Sequence, residues 1–117
     1  MSINKELLKG TTTLFILQLL EDGDKYGYEM TKELEQRSDS LFTLKEGTLY
    51  PILHMLESEG MIEAYWEETT SARKRKYYRI TKKGKGLLVD KKQEWLDYSK
   101  GVMKVLGGGV VVEPACG

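Results

Sequence analysis

Cysteine and histidine are nearly absent from this 117-residue chain: Cys116 and His54 each occur once. One cysteine excludes an internal disulfide framework and fits a reducing compartment, so a cytoplasmic location is expected. With a single histidine, metal centres of the Cys/His type and triads that need a separate histidine are excluded, and no metal or cofactor is expected. No carboxylates cluster toward a predicted cleft, so the chain has no catalytic set and is not expected to be an enzyme. Long apolar runs are missing as well, since nothing approaches the ~20 residues that a membrane-spanning helix requires. The apolar stretch within MSINKELLKGTTTLFILQLLEDG is flanked by acidic residues and followed by no small-residue cleavage site, so neither a signal peptide nor a membrane partner is expected.

What the chain does have is an uneven distribution of charge. Its 18 Lys and Arg balance its 18 Asp and Glu. Yet RKRKYYRITKKGKG, from Arg73 to Gly86, holds eight of those cations and no acid. A neutral protein with such a segment has a local positive field, which suits a polyanion, and double-stranded DNA is the first partner to test. The rival reading is a solvated surface, although surfaces built for solubility normally mix signs.

Periodicity places that segment in a fold. From Asn4, the residues Leu7, Leu8, Thr11, Leu14, Phe15, Leu17 and Leu20 advance by three and four, which predicts a first helix that stops at Asp22-Gly23. Asp24 offers a cap to a short second helix that buries Tyr26, Met30, Leu34 and Tyr28 and leaves Lys32 wet. Leu49, Ile52, Leu53 and Leu56 predict a third helix from about Glu46 to Glu59, closed by Gly60. A capping box from Thr43 to Glu46 would set Pro51 deep in that helix, so a start at Lys45 or Glu46 is preferred. Alternation over Met61–Glu67 and Lys76–Thr81 then predicts two antiparallel strands with a polar tip between them. Thr81 is the expected N-cap of a last helix marked by Leu87, Leu88, Trp95, Tyr98, Val102 and Leu106, and Gly107-Gly108-Gly109 ends it. The fold class is therefore mainly α with a two-stranded antiparallel hairpin. The predicted organisation is a winged helix-turn-helix over residues 1–81, a C-terminal dimerisation helix over 82–106 and a Gly/Val-rich tail over 107–117.

In such a fold the third helix enters the major groove and the hairpin is the wing. Candidate DNA contacts are Thr48, Tyr50 and His54 on the third helix, Lys32 on the second, and Arg73, Lys74, Arg75 and Lys76 at the wing. A solvated helix face is the competing reading for the first three. Leu88, Trp95 and Val102 recur by sevens, a seam wider than a three-helix core needs, so Leu7, Leu8, Leu88, Trp95, Tyr98, Val102 and Leu106 are the expected homodimer interface. Trp95 has two readings, an anchor against a second subunit or a stacking surface for a planar aromatic effector. For the second reading the candidate ligand residues are Leu8, Thr11, Phe15, Trp95 and Ser99.

Three segments in order, YGYEMTKELEQ from Tyr26, EGTLYPILHMLESEGMI from Glu46 and ARKRKYYRITKKGKGLL from Ala72, resemble the PadR family of bacterial transcriptional regulators. The resemblance covers most of the chain. It implies a homodimeric DNA-binding regulator of the small subfamily, read here as a repressor, whose members dimerise through the last helix and an N-terminal helix. It also places Trp95 where multidrug-sensing members carry a tryptophan that stacks on planar ligands at the dimer centre. The alternative, from a different class, is a sensing or protein-interaction dimer that does not read DNA.

Overall fold

The computed structural model describes residues 10–68 and 73–107. Helix α1 (Thr12–Glu21) leads through a tight turn to a two-residue strand β1 (Lys25–Tyr26) and directly into α2 (Gly27–Arg37). Helix α3 (Glu46–Ser58) follows, then strands β2 (Ile62–Glu68) and β3 (Lys74–Ile80), and finally α4 (Lys82–Val105). The sheet is antiparallel in the order β1-β3-β2. It has three strands, one more than the hairpin expected from alternation. Two residues are too few to show alternation, which is why β1 is silent in the sequence.

The start of α3 is at Glu46, as the position of Pro51 demanded. Lys45 is extended at the N-cap, and the amides of Thr48 and Leu49 donate to its carbonyl at 3.0 and 2.9 Å. Pro51 then costs the helix a single second-turn hydrogen bond, and its ring lies at the surface. The cap expected from Asp24 is not used in that way. Helix α2 begins three residues later at Gly27, with the backbone amide of Tyr26 donating to Glu29 Oε1 at 3.1 Å, while Asp24 accepts from the Tyr65 hydroxyl at 2.7 Å. Tyr28, expected to be buried, is 60% exposed.

The core is one cluster. Ile16, Leu17, Leu19 and Leu20 of α1 meet Met30 and Leu34 of α2, Leu49, Leu53 and Leu56 of α3, Ile62, Tyr78 and Ile80 of the sheet, and Leu88 of α4. The buried face of α1 thus centres on Ile16 and Leu19, one position round from the Leu14–Phe15 stripe, which is half-buried. Residues 1–9, with Leu7 and Leu8, lie outside the described residues, as does the Gly/Val-rich tail beyond Gly107.

Ion pairs and caps fasten the helix ends. Lys25 Nζ donates to the carbonyls of Leu19 and Gly23 at 2.9 and 3.2 Å and lies 3.4 Å from Glu33, so a cation closes the negative end of α1. Arg37 donates to Asp22 at 2.7 Å, and that bond holds the Asp22 carboxyl below its ordinary pKa. Thr81 is the N-cap of α4 as expected: its hydroxyl oxygen accepts from the Gly84 amide at 3.0 Å and donates to the Gly60 carbonyl at 2.7 Å. Gly84 presses so closely on the Met61 carbonyl that a Cβ there would overlap it. The joint between the sheet and α4 therefore requires a residue without a side chain.

Candidate nucleic-acid interface

Helix α3 buries Leu49, Leu53 and Leu56, packs Ile52 half-buried beside them against the core, and turns its opposite face outward. By helical spacing, Tyr50 and His54 lie one turn apart along one flank of the exposed arc, and Thr48 and Met55 lie along the other. Between them runs a track poor in side chains, made of Gly47, Pro51 and Ser58. A Cβ at Gly47 would meet nothing within 4 Å. Thr48, Tyr50 and His54 are thus all exposed, but they do not form one cluster. Tyr50 is also tethered, because its hydroxyl packs where a Cβ of Gly27 would be. That packing sets the second turn of α3 against the start of α2.

The wing is more mixed in charge than the linear sequence indicates. Although no acid interrupts Arg73–Gly86, strand β2 lays Glu63, Glu67 and Glu68 opposite Arg79, Arg75 and Lys74 in register. Arg79 Nε reaches Glu63 at 3.3 Å. Lys76, expected at the wing, points to the inner face, 3.9 Å from Glu57 of α3 and over the ring of Tyr78, whose phenol burial pushes its pKa up. Arg73 and Lys74 are exposed and Arg75 is half-buried. The lysines opening α4 also divide. Lys83 Nζ donates to the Glu59 carbonyl at 3.1 Å and so closes the C-terminal end of α3, which compensates a cation placed unfavourably at the start of its own helix.

The outer face of the sheet carries a row of aromatic rings that alternation in two strands hinted at and the hidden third strand completes. Tyr26, Tyr77 and Tyr65 stand side by side across β1, β3 and β2, with centroids 5.4 and 5.8 Å apart. The guanidinium of Arg75 lies 4.5 Å from the centre of Tyr26 and that of Arg79 lies 4.9 Å from Tyr65. Lys32 Nζ stands 5.8 Å over Tyr28, which stacks at 6.5 Å on Tyr26.

A profile of the transcriptional regulator PadR-like family matches residues 16–90, spanning α1 to the first turns of α4. The chain belongs to the PadR-like family. Solved structures of transcriptional regulators share its fold: one from Clostridium thermocellum is 38% identical, with a TM-score of 0.77 over 86% of this chain and 96% of its own. The PadR-like transcriptional regulator of Bacillus cereus is 34% identical, with a TM-score of 0.76 over 89% of this chain and 99% of its own. A transcriptional regulator of Mycobacterium tuberculosis is 29% identical over 89% of this chain and 91% of its own. Membership of the PadR-like family makes this chain a DNA-binding transcriptional regulator and not an enzyme. Among the described residues, no helix is long and apolar enough to cross a membrane, and no cluster of ligating side chains would hold a metal.

The dimer and effector residues assigned to this PadR-like chain fall into separate groups. Leu88 is 3% exposed within its own chain and belongs to the core, so it is not available to a partner. Its heptad companion Trp95 is 47% exposed, and Tyr98, Val102 and Leu106 are exposed beyond it. Thr11, the N-cap of α1, and Phe15 within that helix are half-buried, and Phe15 packs on Phe42 at 4.7 Å. A shallow cleft lined by Phe15, Leu34, Arg37 and Phe42 lies between α1 and α2, and another runs along α4 from Asp97 to Leu106. Neither contains both Phe15 and Trp95. Ser99, whose hydroxyl donates to the Leu96 carbonyl at 3.1 Å, lines neither.

Proposed function

We propose that this regulator acts as a cytoplasmic homodimer that represses transcription from a near-palindromic operator. The observation that carries the reading is the far half of α4, where Trp95, Leu96, Val102, Met103, Val105 and Leu106 leave apolar surface uncovered on a single chain. A helix with a wet polar face does not hold such a stripe in water without something to cover it, and a second copy of the same helix offers a matching one. Residues 82–106 are then the dimerisation element and residues 1–81 the reading head. Two-fold symmetry would set two α3 helices in major grooves about 34 Å apart. Thr48, Tyr50 and His54 are the proposed groove contacts, with Lys32, Arg73, Lys74 and Arg75 on phosphates; the inward turn of Lys76 leaves it the weakest member of the set.

Trp95, with Ser99 and with Thr11 and Phe15 of the first helix, is the proposed site for a planar aromatic effector between subunits. Such a molecule would act only through its differential affinity for two arrangements of the dimer. The tests are a gel shift at physiological salt on the chain's own upstream DNA with specific competitor, sedimentation to read the assembly state, and quenching of indole fluorescence by planar compounds. A monomer at micromolar concentration that still shifts the fragment would refute the dimer. Quenching that survives Trp95→Ala undiminished, with Trp66 still present, would refute the indole pocket.

A further inference from the structure

From the aromatic row on the outer face of the sheet, we infer that Tyr26 is a positioning residue for Arg75, holding that guanidinium in the orientation in which the wing meets DNA phosphate. The inference rests on the reading of β3 as a DNA-contacting wing. Arg75 and Arg79 both project from the outer face of β3 and both lie over a tyrosine, yet their situations differ. Arg79 is also held by Glu63 at 3.3 Å, so its charge is answered within the sheet. Arg75 faces Glu67 in register, but among the described residues no carboxylate comes within ion-pair distance of it; what holds it is the face of Tyr26 at 4.5 Å.

A guanidinium lying flat on a ring has its face occupied and its edge N–H donors free in the plane, and the 4.5 Å approach of Arg75 to the centre of Tyr26 brings it within reach of that arrangement. An arginine held this way keeps its capacity for two parallel hydrogen bonds to a phosphate and loses less side-chain freedom on binding than one extended into water. Tyr26 is itself hard to move. It belongs to β1, pairs in register with Tyr77, meets that ring at 5.4 Å edge to face, and directly precedes α2 with its amide bonded to Glu29. The wing arginine is therefore braced against the reading head through a strand that belongs to neither arm of the hairpin.

A double-substitution cycle tests this, read as affinity for a mixed-sequence duplex of about three helical turns, which needs no knowledge of the operator. Arg75→Gln is expected to weaken binding and to flatten its salt dependence. Tyr26→Leu is expected to weaken binding about two- to fivefold for each engaged wing, the range that one exposed cation–π interaction supplies. In the Arg75→Gln background, Tyr26→Leu should add nothing, and Tyr26→Phe, which keeps the ring, should match the parent. Arg75→Lys gives a second route that leaves the strand pairing intact. Lysine keeps the charge and can still sit over a ring, but it lacks the planar fork that places two parallel hydrogen bonds on a phosphate, so affinity should fall while the salt slope stays that of the parent. Additive losses in the cycle, or parental affinity in Arg75→Lys, would overturn the positioning role while leaving the wing in place. Parental affinity and salt slope in Arg75→Gln would instead remove Arg75 from the residues that meet DNA, and the inference with it.

Discussion

The hydroxyl of Tyr65, in the middle of β2, donates a 2.7 Å hydrogen bond to Asp24 in the turn that precedes β1. Residues 41 positions apart in sequence are thereby joined, and the hairpin is pinned to the turn after the first helix. The bond to Asp24 is the main reason the Tyr65 phenol is pushed up to about 12 from an ordinary 10, with burial and the nearby carboxylate charges adding to it.

A raised pKa means that the protonated phenol is the form the fold stabilises. The contribution is fully present below pH 10 and is lost as pH rises from 10 through about 12. Tyr65→Phe should lower the unfolding free energy at neutral pH by up to about 1 kcal/mol, as expected for one hydrogen bond near the surface. Thermal unfolding followed between neutral pH and pH 12 should bring the two proteins together at the alkaline end. Parallel curves across that range would show that the bond contributes nothing.

Two glycines of α4 should respond to alanine in opposite ways. At Gly84 the new methyl meets the Met61 carbonyl and the Ile80 side chain, and the backbone atom cannot rotate aside, so Gly84→Ala should cost about 1–3 kcal/mol. At Gly86, two residues on, a Cβ meets nothing within 4 Å, and Gly86→Ala should stabilise by about 0.5–1 kcal/mol through helix propensity alone. Denaturant midpoints of the two variants check both signs.

Neutralising the wing should show as a change in salt slope. Replacing Arg73, Lys74 and Arg75 by Gln should reduce the slope of log affinity against log salt by about 0.9 for each phosphate that is no longer neutralised, on operator and unrelated DNA alike. Arg79→Gln, which removes a cation already paired with Glu63, should change it far less. Equal effects from the two sets of substitutions would remove the distinction drawn between the wing and the strand.

Along α4, burial separates the residues that fold the protomer from those proposed to pair with a second copy. Leu88→Ala should destabilise the protomer by about 2–5 kcal/mol, because the side chain lies in the common core. Val102→Asp should leave the secondary structure intact and shift the protein to monomer in sedimentation. A folded dimer in Val102→Asp would move the interface elsewhere.

Much of the fold was legible because the helices advertise themselves by apolar spacing and the caps by residue type: Glu46, Gly60 and Thr81 mark boundaries where the pattern put them. What was not legible depended on neighbours distant in sequence. Strand β1 is too short to alternate, so the partner of Tyr77 could not be found by pattern. The basic run was legible as charge but not as context, since its acids lie on the opposite strand. Lys76 turned inward because position parity on β3, set by the burial of Tyr78 and Ile80, sends even-numbered residues to the core side. Leu88 shares a heptad with Trp95 and Val102, yet the first turns of α4 pack on the chain's own core and the later turns do not.

That division of α4 makes it a lever. One unbroken helix of 24 residues, about 36 Å long at 1.5 Å per residue, is clamped at its first turn by Thr81 and Gly84, and among the described residues its far end stands clear of the core. A tilt of about 10° imposed at the far end would swing the reading head by roughly 6 Å over that length. This exceeds the ~3.4 Å rise between successive nucleotides of a DNA strand. The arm is long enough to turn a small angle into a misplaced helix, and the stiff joint at Gly84 is what would keep that motion from being absorbed on the way.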